Sequence, residues 1–483
     1  MSDMSLKEQL DSLFNPKSVA VIGASNFFGK WGYNVLNRVL SHKQGREVYA
    51  INKKEPEVMG MKAYKSVVEV PGPVDFAVIT VPFQDVPAAM EDCVGKGVRS
   101  AVIISGGLAE TGEEGARIQS KTVEIARRGG IRFIGPNCLG FCNPYANFCT
   151  APFLPPIEAG RVALISQSGN SGQSILDYGL HMGVGFSKFI SSGNEADLRF
   201  EDYLEYLGQD ENTDIILGYV EGLREGERFL ELAKEITKKK PIVIMKVGRT
   251  DAGTRAARSH SSALAGSDVV LDAAFKQCGV IRVERLHEVV DVAVALLGQS
   301  LPRGRRVGVL SMSGGMAVIA ADALRREGLE LPPLSAVTME KLNSMMSRRW
   351  SGGNPVDPAG DFVSYQALWP MIEDENFDAI VVIGGVAMTA GYSTWAPALM
   401  KQTVEGLGRQ FEETELENIK TTIDLMRKHR KPVIFTVGAA RFETEGKVPQ
   451  RLKQSHLNLY PEPEESAKVL AHLVRYSEYL SEG

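Results

Sequence analysis

Arg161-Val-Ala-Leu-Ile-Ser-Gln-Ser-Gly169 and Arg306-Val-Gly-Val-Leu-Ser-Met-Ser-Gly314 are the two stretches that decide the fold. Each is a short aliphatic run ending in a Ser-x-Ser-Gly turn, the pattern of a buried parallel strand that feeds a helix. Further matches follow in the same order. Gly193-Asn194-Glu-Ala-Asp197 recurs as Gly353-Asn354-Pro-Val-Asp357, and Pro241-Ile-Val-Ile-Met-Lys-Val-Gly248 recurs as Pro432-Val-Ile-Phe-Thr-Val-Gly438. Ordered recurrence of this kind marks a duplicated unit. It predicts two flavodoxin-like domains, 157–298 and 306–483, joined near Gln299–Arg305.

Upstream, Ser18–Gly23, Glu47–Asn52, Phe76–Val81 and Ala101–Ser105 read as buried strands, separated by amphipathic segments such as Gly32–Leu40 and Val86–Gly95. This βαβ rhythm predicts a Rossmann-like domain over 1–142, with ligand sites at strand C-termini. The fold class is therefore α/β. The proline-rich stretch Asn143–Pro156 reads as a linker, and the Glu-rich stretch Glu405–Ile419 as a mobile insertion.

At 483 residues the chain has room for about three domains. A net charge of −5 argues against a general nucleic-acid or membrane-surface binder. Hydrophobic residues at 44% and charged residues at 23% exclude wholesale disorder. Five cysteines cannot staple a chain of this length, and an odd count fits a reducing compartment. Met1–Phe14 has no apolar core of a signal peptide, and no window is apolar enough to span a membrane. The expected location is the cytoplasm.

Two turns can hold anions. Gly23-Ala24-Ser25-Asn-Phe-Phe-Gly29 follows a strand and opens a helix, where backbone amides and the helix N-terminus suit phosphate. An NAD site wants an acid at the end of the second strand, but Asn52-Lys53-Lys54 stand there. Positive charge suits a ligand with an extra ribose phosphate, NADP or coenzyme A. The second turn is Ser166-Gln-Ser168-Gly169-Asn170-Ser171-Gly172, again strand then helix.

His260 differs from the other six histidines, which read as surface groups. It sits in Gly248-Arg-Thr-Asp-Ala-Gly-Thr-Arg-Ala-Ala-Arg-Ser-His260, a loop of small residues and three arginines that lets a bulky anion approach. A neutral imidazole is a competent nucleophile toward a phosphoryl group, and a helix-capping histidine is the alternative reading. Glu221, at a strand end, has the chemistry to orient an imidazole and favour its charged form. Cys138, Cys142 and Cys149 lack a fourth ligand and read as structural thiols, so no metal site is expected.

Together these segments, with Gly135-Pro136-Asn137-Cys138-Leu139-Gly140 and Asn354-Pro355-Val356-Asp357, resemble the α subunit of NDP-forming acyl-CoA synthetases, related to succinyl-CoA synthetase. The likeness covers nearly the whole chain. It implies coenzyme A binding at Gly23, Ala24, Ser25, Lys53 or Lys54, Val81, Pro82, Ser105 and Asn137. It further implies phosphate held at Ser166, Ser168, Gly169, Asn170, Ser171 and Gly172, a phosphoryl group carried on His260, and Glu221 steadying it. The implied reaction interconverts acyl-CoA, phosphate and ADP with a carboxylic acid, CoA and ATP. An ATP-grasp β subunit that binds ADP/ATP with Mg2+ would be the partner, since no such domain is legible here. Two departures stand out: the family's Asn-Pro-Lys is Asn52-Lys53-Lys54, and Thr-Gly after the histidine is Ser261-Ser262. The competing readings are a non-catalytic CoA-sensing module and an NADP-dependent oxidoreductase.

Overall fold

A computed structural model describes residues 5–250, 252–253, 268–360, 364–386, 401–437 and 446–482, with the backbone alone over 401–409. The chain divides into two compact units, Met1–Val289 and Val290–Gly483.

The first unit holds two sheets. Strands β1 (Ser18–Ile22), β2 (Glu47–Ile51), β3 (Glu57–Val58), β4 (Met61–Tyr64), β5 (Phe76–Ile79), β6 (Ser100–Ile103) and β7 (Arg132–Ile134) align in the order β3-β4-β2-β1-β5-β6-β7. All neighbours run parallel except the β3–β4 pair. Every residue of β1 and β5 is buried, as a sheet covered on both faces requires. Strand order reverses between β1 and β5, which opens a crevice at their C-termini.

Strands β8 (Gly140–Asn143), β9 (Phe148–Cys149), β10 (Ala159–Ser166), β11 (Phe186–Ser191), β12 (Ile215–Val220), β13 (Ile242–Lys246) and β14 (Ile281–Val283) form the second sheet, ordered β14-β13-β12-β10-β11-β8-β9. Its parallel strands have flavodoxin-like order, with the switch point between β10 and β12.

Two expectations change here. The stretch read as a linker contributes β9, which pairs antiparallel with β8. Register sets Cys142 opposite Cys149, with Cα atoms 4.0 Å apart, and the two form a disulfide rather than free thiols. Cys93, Cys138 and Cys278 are buried and free.

Aromatic packing ties the two sheets together. Phe141 on β8 meets Phe14, Phe76 and Phe148 edge-on at centroid distances of 5.0, 5.7 and 5.5 Å. Each such pair contributes about 0.5–1.5 kcal/mol beyond its buried area. Phe14 ends the helix Leu6–Phe14, whose start is fixed by a capping box between Ser5 and Glu8. A buried ion pair, Lys188–Asp210 at 2.8 Å, lies beside Phe14 and Tyr206.

The second unit carries β15 (Val307–Ser311), β16 (Ala379–Ile383), β17 (Val433–Thr436) and β18 (Leu459–Tyr460), parallel in that order. Among the described residues, the slot that β11 fills in the first copy holds only isolated bridges, Arg306 with Glu330 and Leu310 with Val356. A side chain substitutes for the missing strand. Asn354 accepts from Val309 N at 2.9 Å and donates to Val307 O and Pro332 O, each at 2.9 Å. The Glu-rich stretch is not an insertion: it lies in the helix Lys401–His429, where Glu415 and Ile419 are buried and Tyr365 donates to Glu415 at 3.2 Å.

Candidate active site

The first crevice is built by three strand ends. After β1 the chain turns at Gly23 with φ +95°, and a Cβ at Gly32 would meet Gly23 O at 1.9 Å, so only glycine lets the next helix start this close. The N–H groups of Gly23 and Ala24 both donate to Ile51 O, at 3.0 and 3.2 Å. Those two amides are therefore bonded within the fold, contrary to the expectation that they face a phosphate. Asn52 locks the second strand end to the first. Its amide donates to Ala24 O at 2.8 Å, and its carbonyl accepts from Lys54 N at 2.8 Å and Glu55 N at 2.9 Å.

That lock leaves Lys53 and Lys54 exposed at the rim, and neither forms an ion pair among the described residues. Ser25 is buried and accepts from Phe27 N at 3.0 Å. Phe27 and Phe28, which sequence reasoning passed over, stand 67% and 79% exposed on the same loop. Behind β5, Ser105 donates to Val81 O at 2.5 Å, which holds Val81 and Pro82 at the crevice edge. These donors and cations fit an anionic ligand with an additional phosphate.

The second crevice lies at the β10–β12 switch point. Ser166 donates to Ser168 O at 2.6 Å, and Ser168 caps the helix Gly169–His181 by accepting from Ser171 N at 3.4 Å. A Cβ at Gly172 would meet Ser166 Cβ at 2.6 Å, so the helix end packs against the strand end without an intervening side chain. Gly169, Asn170 and Ser171 thus supply the first turn, where amide dipoles favour negative charge.

Gln167 organises this crevice. Its carbonyl accepts from Glu221 N at 2.6 Å and Gly222 N at 3.0 Å, while its amide donates to Gly222 O at 2.8 Å and Glu195 Oε2 at 3.0 Å. Glu195 is fully enclosed, and Ser192 donates to its Oε1 at 2.7 Å. Burial pushes its carboxyl up to about 7, against the opposing hydrogen bonds from Ser192 and Gln167. Glu221 itself is half-buried on the turn that Gln167 holds. The spacing of Gln167, Glu195 and Glu221 gives no signal in sequence.

One segment joins the crevices. Asn137 N donates to Ser105 O at 3.0 Å on the side of the first, and the Asn137 amide reaches Asn194 Oδ1 at 3.3 Å on the side of the second. Leu139 N donates to Ser191 Oγ at 3.0 Å, and Asn194 N donates to Pro136 O at 2.9 Å. Gly193, at φ +62°, permits this approach, since its Cβ would lie 2.3 Å from Pro136 O. The structure therefore brings the two anion-favouring strand ends to opposite sides of Gly135–Gly140. Cys138 on this segment is buried, and burial raises its thiol to about 12, which removes it as a nucleophile near neutrality.

His260 lies outside the described residues, as do 254–267. Of the three arginines in its loop, Arg249 is described, and it pairs with Glu284 at 2.8 Å and Asp268 at 3.9 Å.

Residues 17–144 match the CoA binding domain family, and residues 159–296 match the succinyl-CoA ligase like flavodoxin domain family. The α subunit of acetate–CoA ligase [ADP-forming] II from Pyrococcus furiosus is 39% identical over 477 residues, covering 98% of this chain and 99% of that one. This chain belongs to the α-subunit family of ADP-forming acetate–CoA ligases. A similar solved structure, the dinucleotide forming acetyl-coenzyme A synthetase 1 of Ca. Korarchaeum cryptofilum in complex with phosphate and ADP, superposes with TM-score 0.82 at 30% identity, covering 98% of this chain and 97% of that one. Other relatives are longer. Acetate–CoA ligase [ADP-forming] I of Archaeoglobus fulgidus is 42% identical over 378 residues, 77% of this chain but 54% of that protein.

Several of the remaining histidines of the chain are packed or hydrogen-bonded within the fold, which corrects the surface reading. His42 Nδ1 lies 3.1 Å from Arg38 O, His287 stacks on Tyr178 at 4.3 Å, and Nδ1 of His456 and Nε2 of His429 are buried without a hydrogen-bond partner among the described residues. A Cβ at Gly298 would meet His456 O at 2.2 Å, so His456 is wedged against a helix. No helix among the described residues is long and apolar enough to cross a membrane.

Proposed function

We propose that this chain is the CoA-binding, phosphohistidine-carrying α subunit of an ADP-forming acyl-CoA synthetase. The observation that carries the reading is the pairing of the Ser168-capped helix with the Gln167-held Glu221 turn, joined through Gly135–Gly140 to the lysine-rimmed crevice. Acyl transfer from a thioester to phosphate needs both ligands held within reach of each other.

In the first crevice Lys53, Lys54, Ser25, Val81, Pro82, Ser105 and Asn137 would hold the acyl-CoA. Phosphate at Ser166, Ser168, Gly169, Asn170, Ser171 and Gly172 attacks the thioester carbonyl, forming the acyl–phosphate bond and releasing CoA thiol. The imidazole of His260 then attacks phosphorus, the carboxylate leaves, and the phosphoryl group stays on the ring. Glu221 offsets the positive charge that the ring acquires. In the last step ADP accepts the phosphoryl group on a separate ATP-grasp subunit that binds nucleotide with Mg2+.

Support for a separate subunit comes from the longer relatives, of which this chain matches about half. Lysines at the β2 end, where an NAD site carries an acid, and the ligase names of the relatives weigh against a redox role. A pure CoA sensor has no use for the Glu221 and Ser168 arrangement. The test is to combine the chain, its ATP-grasp partner, ADP, phosphate and a panel of acyl-CoAs. ATP formation with stoichiometric release of CoA is expected for at least one acid. CoA release without ATP, or reduction of NADP, contradicts the reading.

A further inference from the structure

Lys246, the last residue of β13, is 3% exposed. It stands in register with Val220, the residue before Glu221. Its ammonium donates to the carbonyl of Val247, and among the described residues no carboxylate lies within ion-pair distance of it. A buried ammonium needs its charge and all three donors met. Lys188, equally buried, has Asp210 at 2.8 Å. Lys246 has no such partner among the described residues, and it stands at the point where the sequence enters the His260 loop.

The duplicated unit supplies a comparison. Gln167 N donates to Tyr219 O as Met312 N does to Ile383 O, so Gly385 stands where the first copy has Glu221. Val220 pairs with Lys246, whereas Gly384 N donates to Thr436 O, which puts Val437 at the Lys246 position. The copy therefore lacks the carboxylate and the buried cation together. After Gly438, in the segment that corresponds to the His260 loop, its sequence also offers no histidine until His456. Cation and carboxylate belong to one device.

We infer that the Lys246 ammonium is the cation of a phosphate subsite at the β12–β13 edge, holding the phosphoryl dianion beside Glu221. The inference rests on the phosphohistidine reading for its physiological ligand. A dianion brought next to a carboxylate is repelled, and a desolvated ammonium at the adjoining strand end offsets that repulsion. Burial pulls the ammonium pKa below the usual lysine value, while the charges of Asp268 and Glu221 oppose that shift and Arg282 adds to it. A bound phosphate would act in the same sense as the two carboxylates.

Lys246→Met removes the charge and the donors, and Lys246→Gln keeps a donor for Val247 O without the charge. The probe is inorganic phosphate, read as the rise in Tm of the full chain against chloride at equal ionic strength. Both variants should need more phosphate for the same rise, with apparent affinity weakened roughly tenfold or more. Lys246→Met should melt no lower than wild type without phosphate, because an unpaired buried charge is gone. A phosphate response of wild-type affinity in either variant, no response in wild type, or a Lys246→Met chain that melts lower without phosphate would overturn the subsite. Acid-labile labelling of His260 is scored separately: its absence in wild type rejects the phosphohistidine reading, while the phosphate response still judges Lys246.

Discussion

The Gln167 side-chain carbonyl accepts the Glu221 N–H at 2.6 Å, so the turn presenting Glu221 is held by a side chain from the neighbouring strand end. Gln167→Ala leaves two N–H groups without their acceptor and takes one of its two donors from the buried Glu195 carboxyl. Stability should fall by about 1–3 kcal/mol, read by urea denaturation. The level of phosphorylated chain should fall as well. A variant as stable as wild type would mean that water replaces the amide.

Glu195 gives the stability of the first unit a pH dependence. Its carboxyl is raised from 4.5 to about 7 by burial. Between those values the folded chain keeps a proton that the unfolded chain has released, so stability falls as pH rises through this window and levels off above it. Glu195→Gln removes the slope. The difference in unfolding free energy between wild type and variant should shrink by on the order of 3 kcal/mol from about pH 4.5 to about pH 7. Parallel stability curves for the two proteins would contradict the shift.

Lys53 and Lys54 are exposed and unpaired among the described residues, so replacing both with alanine should change stability by less than about 0.5 kcal/mol. Calorimetry should show CoA weakened more than dephospho-CoA, because only CoA carries the ribose 3′-phosphate. Equal losses for the two ligands would remove the lysines from the site.

The strand–turn–helix units were legible because their signals are local. Buried strands read as aliphatic runs, and Gly23 and Gly169 mark the turns that follow them. The Gln167–Glu195–Glu221 network was not legible, since three separate strand ends meet only after the sheet forms. Asn354 hides the missing strand for a related reason: the Gly-Asn motif recurs, but in the second unit its side chain bonds to β15 as a strand would. The Cys142–Cys149 pair needed the β8–β9 register, and the burial of His456 needed its contact with Gly298.

Without its partner subunit, the purified chain should bind CoA and form no ATP from acyl-CoA, phosphate and ADP. Adding the partner should restore turnover. Nucleotide-dependent ligation by the chain alone would reveal a nucleotide site within it.

The most direct test counts acid-labile phosphate on the chain, by intact mass and peptide mapping after incubation with acyl-CoA and phosphate. The second unit lacks counterparts of Glu221 and Lys246, and the His456 ring is partly enclosed, with burial lowering its pKa. One phosphate per chain is predicted, on His260, absent in His260→Ala and unchanged in His456→Ala. Two phosphates per chain, or labelling that survives His260→Ala, would contradict the account.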